Sequence, residues 1–323
     1  MTTPLPNSLS NSLQSQSICV IGGGGFIGSH LVDAFLGEGC QVRVLSRKLP
    51  GLIDLAARSN PDFNAHSVDI CNASALNDAV NGSDIVVHLA SSSLPQNSNL
   101  NPKDDVSTNL IGSLNVIEAC ISNNVKKLIY ISSGGTVYGD PISVPIDESH
   151  PTNPSCSYGI NKLATEKYLC LYSKLHDLNY IILRLANPYG ERQRLDTGQG
   201  VVPAFLRKAI RSEPLEVWGD GSIVRDFLYI SDVIRAILLS CKYEGRERLF
   251  NIGSGVGLSL NDLILLIEDI LGSSLNVVYK NSRAFDVPTN VLSIQKASKH
   301  LYWSPIVPPK TGLNLFYKYL LHH

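Results

Sequence analysis

The sequence predicts an α/β protein: a Rossmann-type, doubly wound parallel sheet with a smaller C-terminal substrate-binding lobe. Three observations carry this. An apolar run, Ile18 to Ile21, enters a glycine cluster, and an amphipathic run, Phe26 to Leu36, leaves it. Further strand-like runs follow at 41–45, 64–68, 84–90, 127–133 and 180–184, each leading into a helical pattern. Alternating strands and helices of this kind build a parallel sheet covered on both faces. From about residue 188 the alternation breaks into loops punctuated by Pro and Gly, with short helices between them.

In the first unit, Gly22, Gly25 and Gly28 stand at three-residue intervals. The first allows a φ unavailable to other residues. The second removes a Cβ where a pyrophosphate must approach the backbone, and the third lets the helix pack closely. Phe26 and Ile27 then open a helix whose free N–H groups suit phosphate oxygens. Strand, glycine turn and helix together point to a dinucleotide, although the spacing is GxxGxxG and not GxGxxG. At the end of the second strand, where a dinucleotide's adenosine ribose sits, stand Ser46 and Arg47 and no acid. An acidic residue would bind the 2′-hydroxyl and repel a 2′-phosphate, whereas Arg47 suits a 2′-phosphate. The cofactor is therefore NAD or NADP, with Arg47 leaning to NADP. Asp69 and Ile70 end the third strand near the adenine, and Leu89 and Ala90 end the fourth beside the cofactor.

The boundaries follow: a disordered leader at 1–16, rich in Ser, Asn and Gln, then a dinucleotide-binding domain at 17–187. Residues 188–323 form mainly the substrate lobe, with a helix from about Ile230 to Ser240 returning to the first domain inside a segment near 228–252. The chain has 323 residues, 44% hydrophobic and 17% charged, the balance of a compact protein. A net charge of −1 with no basic tract speaks against nucleic-acid or anionic-membrane partners. No apolar stretch reaches the roughly 18–20 residues that cross a bilayer. Seven cysteines without a CxxC pair suggest reduced thiols in the cytoplasm and no zinc site. The histidines show no ligand spacing, His88 reads as structural, and the Asp147-Glu148 pair reads as a solvated turn; no metal is expected.

Chemistry gathers at Tyr158-Gly159-Ile160-Asn161-Lys162, which opens a helix running to about Leu175. Tyr158 and Lys162 lie one turn apart on one face. A tyrosine is a poor base at neutral pH, and a neighbouring ammonium would bring its pKa down toward the working range. That arrangement suits proton exchange with a sugar hydroxyl.

With the glycine turn, these residues resemble the extended short-chain dehydrogenase/reductase family, and within it the nucleotide-sugar branch of the UDP-glucose 4-epimerases. Further matching stretches are His88-Leu89-Ala90, Thr108–Gly112, Ser132–Gly139, Arg184–Gly190, Trp218–Gly221, Arg225-Asp226-Phe227 and Phe250–Gly253. The match spans about residues 17 to 320. The resemblance implies a bound nicotinamide cofactor, a nucleoside-diphosphate sugar and hydride transfer at sugar C4. It makes Tyr158 the base, and Lys162 the residue that holds the nicotinamide ribose. Asn109 and Ala90 would line the cofactor, Asn187 would contact the diphosphate, and Val202 and Phe205 would lie near the nucleotide base. Arg225 and Arg283 would clamp the diphosphate, with Asp286 in the late Arg-x-x-Asp segment.

The family's usual catalytic Ser/Thr position falls on Gly134, so the hydroxyl comes from Ser133 or Thr136, with Ser133 preferred. The glycine could also leave room for a water or a bulkier substrate. The leading function is a nucleotide-sugar 4-epimerase for a UDP-hexose or UDP-N-acetylhexosamine. The alternative is an NADPH-dependent reductase of an NDP-4-keto-6-deoxyhexose, favoured by Arg47; more remote is a non-catalytic NAD(P)-binding protein. A 4,6-dehydratase fits less well, because Gly134-Gly135-Thr136 lacks that branch's acidic pair. A homodimer is expected through helices beginning near Asp105 and Tyr158, using Leu110, Leu114 and Ile117 with Leu163, Leu169 and Leu171.

Overall fold

A computed structural model describes residues 12–49, 51–91, 98–195, 200–282 and 287–322. The first half of the chain runs β1 Ser17–Ile21, α1 Phe26–Gly37, β2 Gln41–Ser46, α2 Leu55–Arg58, β3 Phe63–Ser67, α3 Ala73–Val80 and β4 Ile85–His88. Next come α4 Pro102–Asp105, a π-helical turn Val106–Ile111, α5 Gly112–Ser122, β5 Lys127–Ser133, α6 Ser157–His176 and β6 Tyr180–Leu185. Beyond them lie β7 Asn187–Tyr189, α7 Val201–Ile210, β8 Leu215–Trp218, β9 Val224–Tyr229, α8 Ile230–Lys242 and β10 Leu249–Ile252. The last elements are β11 Gly257–Ser259, α9 Leu260–Leu271, β12 Val277–Lys280, β13 Thr289–Asn290, α10 Gln295–His300 and α11 Pro309–His322.

Seven parallel strands form the central sheet in the order β10-β6-β5-β4-β1-β2-β3. Alternate residues of each strand feed two apolar layers, as the two-residue period of a strand requires. Ile18, Val20, Val42, Val44, Ile129 and Ile131 face one layer with Leu31, Phe35 and Val233 from α1 and α8. Cys19, Ile21, Leu45, Leu128 and Tyr130 face the other with Leu76, Ile117, Cys120 and Leu169 from α3, α5 and α6. The order reverses between β1 and β4, and a cleft opens there at the carboxyl ends of the strands. The chain leaves the sheet at Leu185 and enters a second sheet at Asn187, in which β7, β11 and β13 all pair with β9. β8 pairs with β12. The helix expected to return, α8, packs on α1, and β10 closes the main sheet.

Several expectations change. The leader ends sooner than residue 16: Leu13 is 2% exposed in the core, and Ser15 N donates to Gly39 O at 2.9 Å. The helix expected from Asp105 is broken at 106–111 by a turn of wider winding, which carries Asn109. Ile117 and Leu169 turn into the protein's own core and take no part in an outward face. Glu148 is not solvated: half-buried, it accepts from Asn251 N of β10 at 2.7 Å, and burial raises its pKa. All seven cysteines are unbonded to one another, and no described helix is long and apolar enough to cross a membrane.

Candidate active site

The turn from β1 to α1 is built from backbone-on-backbone contact. Gly22 has φ +89°, its N–H donates to Leu45 O at 2.7 Å, and a Cβ there would stand 2.8 Å from the Ala90 nitrogen. A Cβ at Gly28 would overlap the backbone of Gly22 and Gly23, so this glycine packs the helix on the turn more than on the strand. Gly25 differs: its Cβ direction meets nothing nearer than Gly22 O at 3.3 Å. It is the N-cap of α1, where no side chain caps the helix and no acid sits in the first turn. A recessed backbone beside an uncapped helix N-terminus fits a dinucleotide's pyrophosphate. Gly51 and Leu52 fold over this turn, with Leu52 N donating to Gly24 O at 3.0 Å.

One continuous cleft runs on from there. Phe26 and Ile27 line it beside the glycine turn, Ser46, Arg47, Asp69 and Ile70 at the ends of β2 and β3, Leu89 and Ala90 just past β4, and Asn109 on the π-helical turn. Lys48, beside Arg47 at the end of β2, lines the cleft too, a second cation in the stretch expected to meet the adenosine ribose and one not assigned a role of its own from the sequence. Asn187, Val202, Phe205 and Arg225 line the far end, together with Trp218 and Asn290, which were also missed. Arg225 donates from Nη1 to Val224 O and Val287 O at 2.9 and 2.7 Å, bracing the strand that leads to β13. Asn187 donates to Asp226 O at 2.9 Å. Arg283 and Asp286 fall outside the described residues.

Between the two ends stand Tyr158 and Lys162. Lys162 Nζ donates to Ile131 O at 2.8 Å and sits 4.9 Å from the centre of the Tyr130 ring and 5.6 Å from that of Tyr158. Burial lowers the Lys162 pKa to about 8, against the opposing charges of Glu166 and Asp105. Tyr158 moves opposite to expectation: burial, the Cys156 thiol and Asp105 push its pKa above the ordinary tyrosine range. The i,i+4 spacing brings the ammonium to the ring, but desolvation outweighs its pull on the phenol. His88, wedged beneath, has its pKa lowered to about 3 by burial and by Lys162. It is neutral, paired through Nε2 with Ser113 Oγ at 2.9 Å and tilted on the Tyr130 ring.

The alternation of β5 divides the serines. Ser132 faces inward and donates to Glu166 Oε1 at 2.5 Å, where Glu166 forms a buried pair with Arg184 at 2.6 Å. Ser133 lines the cleft. Gly134 leaves no room for substrate, because a Cβ there would meet the Leu292 side chain at 2.5 Å. The recess lies one residue on, at Gly135, whose Cβ direction meets nothing nearer than Ser133 Oγ at 3.9 Å. Thr136 also lines the cleft, and its buried Oγ1 has no hydrogen-bond partner among the described residues.

Residues 18–253 match the family model for NAD dependent epimerases and dehydratases. The chain belongs to that family. Within it, the UDP-glucose 4-epimerase of Thermotoga maritima, solved with UDP-glucose, is 36% identical, with a TM-score of 0.89 over 95% of this chain and 99% of that one. The UDP-glucose 4-epimerase of Mycolicibacterium smegmatis is 32% identical over 297 residues, 91% of this chain and 95% of that protein. The dTDP-4-dehydro-6-deoxyglucose reductase of Escherichia coli is 32% identical over 311 residues, 94% and 98% of the two. Members of this epimerase/dehydratase family are enzymes, and so is this protein.

The Lys162 shift has a consequence for stability. Its pKa falls from 10.5 in the unfolded chain to about 8 in the folded one. The cost of burying the ammonium is therefore fully present below pH 8 and gone above about pH 10.5. Relative to Lys162→Met, the wild type gains about 3 kcal/mol across that window. Urea denaturation of both proteins at several pH values measures the difference, and a difference flat with pH refutes the burial.

Proposed function

We propose that the protein is a nucleotide-sugar 4-epimerase for a UDP-hexose or UDP-N-acetylhexosamine. The observation that carries this reading is that Tyr158, Lys162 and Ser133 line the same cleft as the glycine turn and as Val202, Phe205 and Arg225. Likeness to the Thermotoga epimerase over nearly the whole chain supports the substrate class. The glycine turn, the N-terminus of α1 and Asn109 would hold NAD, which when bound would supply the acceptor, and later the donor, of the hydride at sugar C4. Tyr158 would act here as the phenolate, which the positive charges of Lys162 and a bound nicotinamide favour against the burial that raises its pKa; it would take the proton from the 4-hydroxyl and give it back, while Ser133 donates a hydrogen bond to the same oxygen. Lys162, anchored on Ile131 O, directs its remaining donors to the cofactor ribose. Arg225 and Asn187 border the diphosphate, and the recess at Gly135 lets the 4-keto sugar turn.

Arg47 and Lys48, with no acid on the end of β2, favour a second reading: an NADPH-dependent 4-ketoreductase. Similarity to the Escherichia coli reductase supports it too. Mass spectrometry of dinucleotide released from the denatured, freshly purified protein separates the two. Retained NAD with interconversion of UDP-glucose and UDP-galactose, or of their N-acetyl forms, supports the epimerase. An empty protein that consumes NADPH only with a 4-keto sugar overturns it. Tyr158→Phe lowers turnover about 10²–10⁴-fold in either case and leaves dinucleotide binding unchanged; near-wild-type turnover removes Tyr158 from the reaction.

The unbonded cysteines favour a cytoplasmic protein. We also propose a homodimer. On α6, Ile160, Leu171 and Leu175 are 54%, 45% and 62% exposed at helical spacing, and Ile111 lies exposed on the adjoining turn, which packs against α6. A second copy presenting the same two helices covers these residues symmetrically. Light scattering gives twice 35.1 kDa for the wild type and one chain for the Ile160→Asp, Leu171→Asp double variant; a wild-type mass of one chain refutes the dimer.

A further inference from the structure

The helix that opens with the catalytic tyrosine does not cap itself. The N-cap of α6 is Cys156, which offers no side-chain bond. The caps come from the segment between β4 and the π-helical turn. Asn99 Oδ1 accepts from Ser157 N at 2.8 Å, and Ser98 Oγ accepts from Tyr158 N at 3.1 Å. Behind them lies Asp105, 3% exposed, at the end of α4. Its Oδ2 accepts from Ser157 Oγ at 2.6 Å and from Asn161 Nδ2 at 2.8 Å. Its Oδ1 accepts from the side chain of Asn109. An anion at a helix N-terminus is favourable, and a buried carboxylate holds firmly the three donors described here, Ser157, Asn161 and Asn109.

We propose that Asp105 is a positioning residue that locks the first turn of the Tyr158 helix to the turn carrying Asn109, and so joins the reaction centre to the cofactor wall. Two of its donors, Ser157 and Asn161, lie on α6, flanking Tyr158 and next to Lys162. The third, Asn109, lines the cleft where a nicotinamide riboside would lie. The carboxylate therefore ties the proton carrier's helix to the turn that would face the cofactor, a tie that no described backbone hydrogen bond makes between these two elements. Its charge also reaches the pair: it opposes deprotonation of both Lys162 and Tyr158. The other groups facing that pair are Glu166 and Cys156 on α6, His88 from β4 and Tyr130 from β5.

The inference rests on reading Tyr158 and Lys162 as the reaction centre, and its test does not use turnover. Asp105→Asn is made in the full chain. NAD binding is measured by titration, and the Lys162 amine is followed by NMR of isotope-labelled lysine, its signal assigned by its loss in Lys162→Met. Asp105→Asn is expected to weaken NAD binding about tenfold, because Asn109 loses a charged anchor. It is also expected to move the Lys162 midpoint below the wild-type value by roughly half a unit or more. Ser157→Ala removes one donor and keeps the charge, so its midpoint stays with the wild type. Where Asp105→Asn does not fold, Asp105→Ser leaves an uncharged acceptor and carries the same expectations. A folded, uncharged variant that binds NAD and titrates Lys162 as the wild type does overturns the proposal. An inactive sugar-nucleotide assay would count against the epimerase reading and leave these two readouts unchanged.

Discussion

A buried ammonium constrains the whole centre of this molecule. Lys162 stands between β5 and α6 with a single carbonyl, that of Ile131, as its described hydrogen-bond partner and two aromatic faces nearby. An ion in such a place is tolerated only if its surroundings compensate it. Here compensation is spread: one carbonyl, the faces of Tyr130 and Tyr158, and the carboxylates of Glu166 and Asp105. The arrangement dictates the state of the neighbours. His88 is held neutral beneath it, and Glu166 is committed to Arg184 and Ser132, which limits what it returns to Lys162. The result is a lysine whose charge is only weakly held, beside a tyrosine that resists losing its proton. Both shifts have burial as their first cause.

The sheet supplies the frame. Because β5 alternates sides, adjacent serines serve opposite purposes: Ser132 ties the sheet to α6 through Glu166, and Ser133 reaches the cleft. Because the strand order reverses between β1 and β4, the connections that leave their carboxyl ends run to opposite sides of the sheet and leave space above the glycine turn. Gly22 then allows the end of β4 to approach to contact distance, so that Ala90 forms part of the same floor.

What was legible in the sequence was what is local. The glycine spacing, the i,i+4 pair of Tyr158 and Lys162, and the strand–helix alternation are all set within a few residues, and all reappear. What was not legible depends on residues far apart in the chain. Gly134 reads as a gap in the sugar pocket, yet its missing Cβ makes way for Leu292, which returns from the second sheet. Asp105 carries no motif, and its role emerges only when Ser157 and Asn161, more than fifty residues on, fold against it. The pKa of Tyr158 was misjudged for a related reason: spacing reveals a neighbouring charge, whereas desolvation depends on everything packed around the site. Leu13 was assigned to a leader because its neighbours are polar, although that one residue finds the core.

On the proposed reading, this cleft keeps one hydrogen at sugar C4 from being lost to water or to free cofactor between oxidation and reduction. The most direct measurement uses UDP-glucose carrying deuterium at C4, incubated with the protein as purified, and follows the label in the UDP-galactose formed. The account predicts that the product keeps its deuterium at C4 and that unlabelled dinucleotide in solution acquires none. Loss of the label to solvent or to added dinucleotide would contradict it.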